Sequence, residues 1–322
     1  FGKGESAMIL VTGGTGFVGR HLVRELMAQE RPVRLLLNEA RAARLPWENS
    51  PEVVIGSILD EEALFKATTG VHAIIHLENA LWWGRAHDLE RIELAGTPAL
   101  ITAARSARVG RIITLSQLGA TPASAYPLLR IKGQVEEVVR NSGLAYTILR
   151  PGLVFGEDDA FYNHLAMLLR ANPFVFFVPG RGEVVLHPLY IGDLIKAIVG
   201  CLDRIDTVDA TLEIGGPEDI TLSDLVGTIQ GVSGAPRAVI HVPPYLMRWS
   251  ARFFALALRR TVVTEQWLDV VAANRTARIG SIYQYFEIRP QRLEDTILTY
   301  MRKRGYWRAL VNYSFRRRPR LT

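Results

Sequence analysis

The sequence predicts an α/β fold in which a parallel sheet is wound on both faces by helices. Two observations carry this. Short apolar runs recur at residues 7–12, 32–37, 53–58, 71–77, 111–115 and 145–149, with helix-compatible segments between most of them. The first run passes at once into a glycine-rich loop and then an amphipathic stretch, the order strand, loop, helix. With 322 residues, 48% of them apolar, the chain is long enough for two lobes around a large core. It holds no uninterrupted apolar stretch of about 18 residues, which excludes an ordinary membrane-spanning helix.

Met8 sits just before the first run, so the folded part is expected to begin there. Val18, Leu22, Val23 and Leu26 then form the apolar stripe of the first helix. Asp60 followed by Glu61 and Glu62 reads as the cap and first turn of the helix after the third run. Beyond residue 150 the alternation weakens into loops carrying Pro151, Gly180 and Gly182. The expected organisation is a dinucleotide-binding domain over 8–150, a smaller substrate lobe over 151–244 interleaved with the sheet, and a basic, aromatic helical appendage over 245–322. Cys201 is the only cysteine, which excludes an intramolecular disulfide. No histidine spacing suggests zinc, so a reducing compartment without a structural metal is expected.

The loop Thr12-Gly13-Gly14-Thr15-Gly16-Phe17-Val18-Gly19 carries glycines at two overlapping spacings, Gly13/Gly16/Gly19 and Gly14/Gly16/Gly19. One glycine permits the tight turn, Gly16 lets backbone approach a pyrophosphate, and Gly19 lets the helix pack on the strand. The helix N–H groups would face the anion. This is the phosphate loop of a Rossmann-type doubly wound sheet. At the end of the second run, where a carboxylate would bind a ribose 2′-hydroxyl, the chain has Asn38, with Arg41 and Arg44 close behind. Guanidinium groups bind phosphate through charge-assisted hydrogen bonds. NADP(H) is therefore favoured over NAD(H), although Glu39 argues the other way.

These features, with Ile74-Ile75-His76-Leu77, Leu115-Ser116-Gln117-Leu118-Gly119-Ala120 and Leu149-Arg150-Pro151-Gly152-Leu153-Val154-Phe155-Gly156, resemble the short-chain dehydrogenase/reductase superfamily. The closer resemblance is to its extended, atypical, epimerase/dehydratase-like branch, which includes the nucleotide-binding accessory subunit of respiratory complex I. His187-Pro188-Leu189-Tyr190-Ile191-Gly192-Asp193 and Thr264-Glu265-Gln266 agree with later signatures of that branch. The resemblance implies cofactor contacts at the glycine loop, Asn38, Arg41, Arg44, Ser57, His76, Leu77, Ser116, Lys132, Pro151 and Gly152. Reductive chemistry in the superfamily uses a serine, a tyrosine acid/base and a lysine four residues after the tyrosine, on the same helix face. Ser116 and Lys132 match, but the residue four before Lys132 is Leu128. Tyr126 lies six residues before Lys132 and would have to swing in from the preceding loop. Ser57 stands where an acid usually follows the glycine to bind adenine.

Charge is divided unevenly. Residues 245–322 carry 16 Lys and Arg against 5 Asp and Glu, whereas residues 1–244 carry 22 against 27. Within residues 245–260, Arg248 and Arg252 fall on one helix side, with Trp249, Phe253 and Phe254 on others. Such a segment either packs on the substrate lobe or docks on an anionic membrane surface or an acidic protein. Nucleic acid ranks below these, because no binding module for it is recognisable. Three functions follow as expectations. The first is a nucleotide-stabilised accessory subunit or peripheral partner of a membrane complex, with weak or no reductase chemistry. The second is an NAD(P)-dependent reductase, epimerase or dehydratase on a small molecule. The third is a redox-responsive regulator.

Overall fold

The computed structural model describes residues 7–47, 50–78, 90–172, 174–257, 262–301, 311, 314 and 315. The apolar runs become strands: β1 (Met8–Thr12), β2 (Val33–Leu37), β3 (Glu52–Ile55), β4 (Val71–His76), β5 (Arg111–Leu115) and β6 (Ala145–Pro151). The third is shorter than its run, because the chain turns at Gly56 into the next helix. In the second lobe follow β7 (Leu153–Phe155), β8 (Val175–Pro179), β9 (Val185–Leu186), β10 (Pro188–Tyr190), β11 (Ala210–Ile214), β12 (Ile220–Thr221) and β13 (Ala238–Val242). The main sheet has seven strands in the order β11-β6-β5-β4-β1-β2-β3, every pair parallel. The sequence pattern supplies six of these strands. The seventh, β11, returns from the second lobe to the sheet edge, and only Leu212 and Ile214 of it are buried.

The helices are α1 (Phe17–Ala28), α2 (Glu39–Ala42), α3 (Glu61–Thr68), α4 (Gly96–Ser106), α5 (Pro127–Arg140), α6 (Phe161–Ala171), α7 (Ile191–Asp203), α8 (Leu222–Ser233), α9 (Pro244–Ala257), α10 (Glu265–Val270), α11 (Ser281–Phe286) and α12 (Leu293–Tyr300). On one sheet face Leu22, Val23 and Leu26 of α1 join Leu194, Ile195 and Ile198 of α7. On the other, Leu64 of α3, Leu100 of α4 and Leu128, Ile131 and Val135 of α5 form a second core. Strand order reverses between β1 and β4, which opens a crevice at their carboxyl ends. The edge strand is fastened by Arg111 on β5. Its guanidinium donates to the Arg204 carbonyl at 3.0 Å and to the Thr207 hydroxyl at 2.7 Å, just ahead of β11.

Helix α5 sits unusually close to the loop before it. A Cβ on Gly133 would lie 2.3 Å from the Thr121 carbonyl carbon, so the approach is backbone on backbone. Alanine at a helix interior is normally better than glycine by about 1 kcal/mol. Here Gly133→Ala is expected instead to destabilise the fold by about 1–3 kcal/mol through overpacking. Urea unfolding of the two proteins measures the sign.

Candidate dinucleotide site

The loop after β1 is built on steric necessity. Gly13 takes a φ of +69°, and a Cβ there would come within 2.7 Å of the Leu77 carbonyl. At Gly19 a Cβ would meet the Gly13 oxygen at 2.3 Å. Gly16 differs: it is exposed, and its added Cβ would meet only the Gly13 oxygen, at 3.2 Å, with its other side open. Gly16 is also the N-cap of α1 and supplies no side-chain cap, and the first turn holds no acid. Helices α2, α3, α8 and α10 have theirs capped by Asn38, Asp60, Thr221 and Thr264. The positive end of α1, flanked by Thr15, Phe17 and Val18, is thus left for an external anion, which fits a pyrophosphate.

Beside the loop, a shallow cleft opens at the ends of β2 and β3. Asn38 Oδ1 accepts the Arg41 amide at 3.0 Å, so its side chain is engaged as a helix cap. Ser57 lines the cleft, its hydroxyl accepting from the Leu59 amide at 3.3 Å. Arg41 also lines it, whereas Arg44 is exposed and outside the lining. The sequence reading missed Glu78, which follows β4 and meets Arg41 at 3.4 Å. Burial pushes the Glu78 carboxyl up, against the pull of Arg41 and of the Gly13 amide. Its only sequence signal is an acid placed directly after an apolar strand.

At the inner end of the crevice the charged groups are buried and paired. Lys132 on α5 reaches Glu93 at 2.6 Å, and both side chains are buried. Glu93 lies in a single π-helical turn, Glu90–Leu94, just ahead of α4. The Thr97 hydroxyl donates to the Glu93 carbonyl at 2.5 Å, so toward His76 Nε2, 3.2 Å away, it acts as acceptor. Nδ1 of His76 then accepts from the Thr12 hydroxyl at 2.7 Å. This fixes a neutral imidazole. Burial, helped by the Lys132 charge, pushes the His76 pKa down to about 3. Leu77 continues the strand, its amide bonded to the Thr12 carbonyl.

Ser116 belongs to a different network. It lies beside Glu136, whose carboxyl is pushed up by burial but held below its usual range by Arg150, Ser116 and Arg140. Arg150 grips Glu136 through two bonds, at 2.8 and 2.7 Å. Tyr126 turns away from Lys132, and its hydroxyl donates to the Ala272 carbonyl at 3.3 Å. Pro151 and Gly152 line a second cleft, where the Gly152 amide donates to the Ile214 carbonyl of β11.

Residues 13–167 match the family described as NAD(P)H-binding. Over that stretch, just under half of its length, the chain carries the NAD(P)H-binding domain of this family. It is 28% identical over 254 residues to NADH dehydrogenase [ubiquinone] 1 alpha subcomplex subunit 9, mitochondrial, of Rattus norvegicus, covering 77% of this chain and 67% of that one. It is 34% identical over 142 residues to the photosystem II assembly factor Ycf39 of Cyanophora paradoxa, covering 44% of each. Among solved structures, a nucleoside-diphosphate-sugar epimerase from Staphylococcus aureus superposes with a TM-score of 0.74 at 16% identity, over 90% of this chain and 99% of that one.

Against the reductive pattern of the superfamily, the departure lies in the inner site. Leu128, at the tyrosine position, is fully buried in the core, and the lysine is committed to Glu93. A buried ion pair that loses one partner leaves an unpaired charge, which costs about 3–5 kcal/mol. Lys132→Met and Glu93→Leu are each expected to destabilise the fold by about that amount, whereas the double variant should recover most of the loss. Chemical unfolding of the four proteins completes the cycle.

Proposed function

We propose that this protein holds NADP(H) as a stabilising ligand and works as a peripheral partner of a membrane complex, without the proton relay of the reductases. The observation that carries this is the inner site. The ammonium of Lys132 is neutralised by Glu93, and no hydroxyl stands four residues before it. The Tyr126 hydroxyl is spent on Ala272.

In this reading the Gly13–Gly19 backbone and the N-terminus of α1 hold the pyrophosphate, and Ser57 faces the adenine side. Arg41, with Asn38 behind it, receives the 2′-phosphate, and Arg44 adds long-range attraction. Arg41 gives up Glu78 to do so, exchanging a weak carboxylate contact for a doubly charged ligand. Ser116, Lys132, His76, Leu77, Pro151 and Gly152 bound the nicotinamide end. A bound nicotinamide would supply hydride chemistry, but among the described residues neither Leu128 nor Tyr126 offers it a poised proton donor. The resemblance to an accessory subunit and to an assembly factor supports the same reading.

Docking falls to α9. Arg248 binds Asp269 of α10 at 2.6 Å, and Arg252, itself largely exposed, pairs with Glu265. Tyr245, Leu246, Trp249, Phe253, Phe254 and Leu256 are left exposed, Trp249 to 69% and Leu256 to 88%. Trp249 stacks on Phe253 with ring centroids 6.1 Å apart. The strand leading into the helix exposes Val239 and Ile240 as well. No described helix is long and apolar enough to cross a membrane. An aromatic face of this kind suits the interfacial layer of a bilayer, where aromatic rings insert beside basic groups. The basic residues of the sequence at 302–304 and 316–320 lie outside the described residues and would add attraction to anionic lipid.

Protein purified without added nucleotide and then denatured should release one NADP(H) per chain, identified by mass spectrometry. Released NAD(H) would reverse the assignment of Arg41. Sustained reductase turnover that Lys132→Ala abolishes would overturn the accessory reading. In flotation with phosphatidylcholine/phosphatidylglycerol vesicles, the protein is expected to float. Trp249→Glu with Phe253→Glu should weaken that binding by roughly tenfold or more, since a charge must otherwise enter the interface. Dinucleotide content should not change. Vesicle binding that ignores these substitutions would remove the bilayer as the docking surface.

A further inference from the structure

Beyond the carboxyl ends of β5 and β6 lies the second cleft, a narrow space of about 30 Å³ walled by Leu118, Leu153, Leu186 and Val270. Into this apolar wall the chain sets a guanidinium. Arg275 is only 7% exposed. Its backbone is pinned beside β9, the amide donating to the Val185 carbonyl at 2.9 Å. Nη1 donates to Gln117 Oε1 at 3.0 Å and Nη2 to the Asp269 carbonyl, while Nε is buried without a partner.

No carboxylate among the described residues comes within ion-pair distance of this guanidinium. Asp269 is the acid that acts on it, and the Asp269 carboxylate is already bonded to Arg248. Burial pushes Arg275 down to about 10, still charged at neutral pH. An unpaired buried cation is costly, and the neutral acceptors around it satisfy hydrogen bonds without cancelling charge. A surface arginine would avoid that cost entirely. What would offset it here is an anion arriving in the cleft.

We propose that this cleft binds a small organic carboxylate, with Arg275 as its receptor. The planar guanidinium matches a carboxylate and retains an uncommitted Nε–H. Gln117, whose amide oxygen is taken by Arg275, keeps its N–H groups as further donors. The cleft has room for the carboxylate end of such a ligand, and the apolar side chains of its wall would meet the adjoining carbons, which distinguishes it from a free phosphate. The site adjoins Pro151 and Gly152, so the ligand would lie at the nicotinamide end of the crevice. The inference goes beyond the accessory reading and does not depend on any turnover.

Isothermal titration of the full chain, as purified, with benzoate, benzamide and inorganic phosphate tests it. Benzoate should bind, and benzamide should bind roughly tenfold more weakly or worse, because only the charged partner satisfies Arg275. Arg275→Gln should weaken benzoate by a similar factor while leaving dinucleotide content and melting behaviour in place. Should that variant fail to fold, Gln117→Leu, which leaves the buried charge intact, should still weaken benzoate severalfold. Absence of benzoate binding, equal binding of benzamide, or benzoate affinity untouched in both variants would overturn the proposal. Phosphate binding tighter than benzoate would overturn the carboxylate assignment.

Discussion

A lysine ammonium buried beneath the carboxyl edge of a parallel sheet must be neutralised by something, and in this protein Glu93 does it. The consequences spread outward from that ion pair. To reach Lys132, Glu93 is presented by a π-helical turn, and Thr97 on the next turn fastens that turn to His76. His76 in turn ties β4 to Thr12 at the end of β1, on the threshold of the glycine loop. The switch point of the sheet, the start of α4 and the lysine helix α5 are thereby locked to one another through charge and hydrogen bonds in a buried setting. Such a network is strong when complete and costly when broken.

The aromatic face and the nucleotide crevice are joined by a similar chain of contacts. Arg248 of α9 lies 6.0 Å from the centroid of the Tyr126 ring, at the N-cap of α5, while binding Asp269 of α10. The Tyr126 hydroxyl bonds Ala272, just past α10. A tyrosine that could have served a proton relay is therefore used to seat α9 and the turn after α10. Side chains that the sequence offers for chemistry have become structural, which fits a protein whose value lies in what it holds together.

Much of the sheet was legible in the sequence because a buried parallel strand is nearly all apolar, as in β1, β2 and β4, while β3, which has no buried residue, still shows as the run Val53, Val54 and Ile55. The edge strand Ala210–Ile214 was not, since half of its residues face outward and it carries Thr211 and Glu213. The glycine loop could be read because its constraint is steric and local: no Cβ fits at Gly13 or Gly19. Glu78, Glu93 and Arg275 were invisible for the opposite reason. Each is a charged residue in a polar-looking stretch, and only the distant partner reveals that it is buried. The partners of the α9 arginines were hidden too, since their acids lie on α10, 13 to 21 residues further along. Periodicity finds a helix face but not which face the tertiary structure covers.

The position of β11 has a temporal meaning. Strand β6 ends at Pro151, and its outer edge is closed only by Ala210–Ile214. On a ribosome adding about 5–20 residues per second, the roughly 60 intervening residues take about 3–12 s to emerge. Through that interval a nearly finished nucleotide-binding sheet presents an open, apolar strand edge to its surroundings. An edge of that kind invites wrong pairing, so the nascent chain has a built-in need for chaperone cover that the finished protein no longer shows.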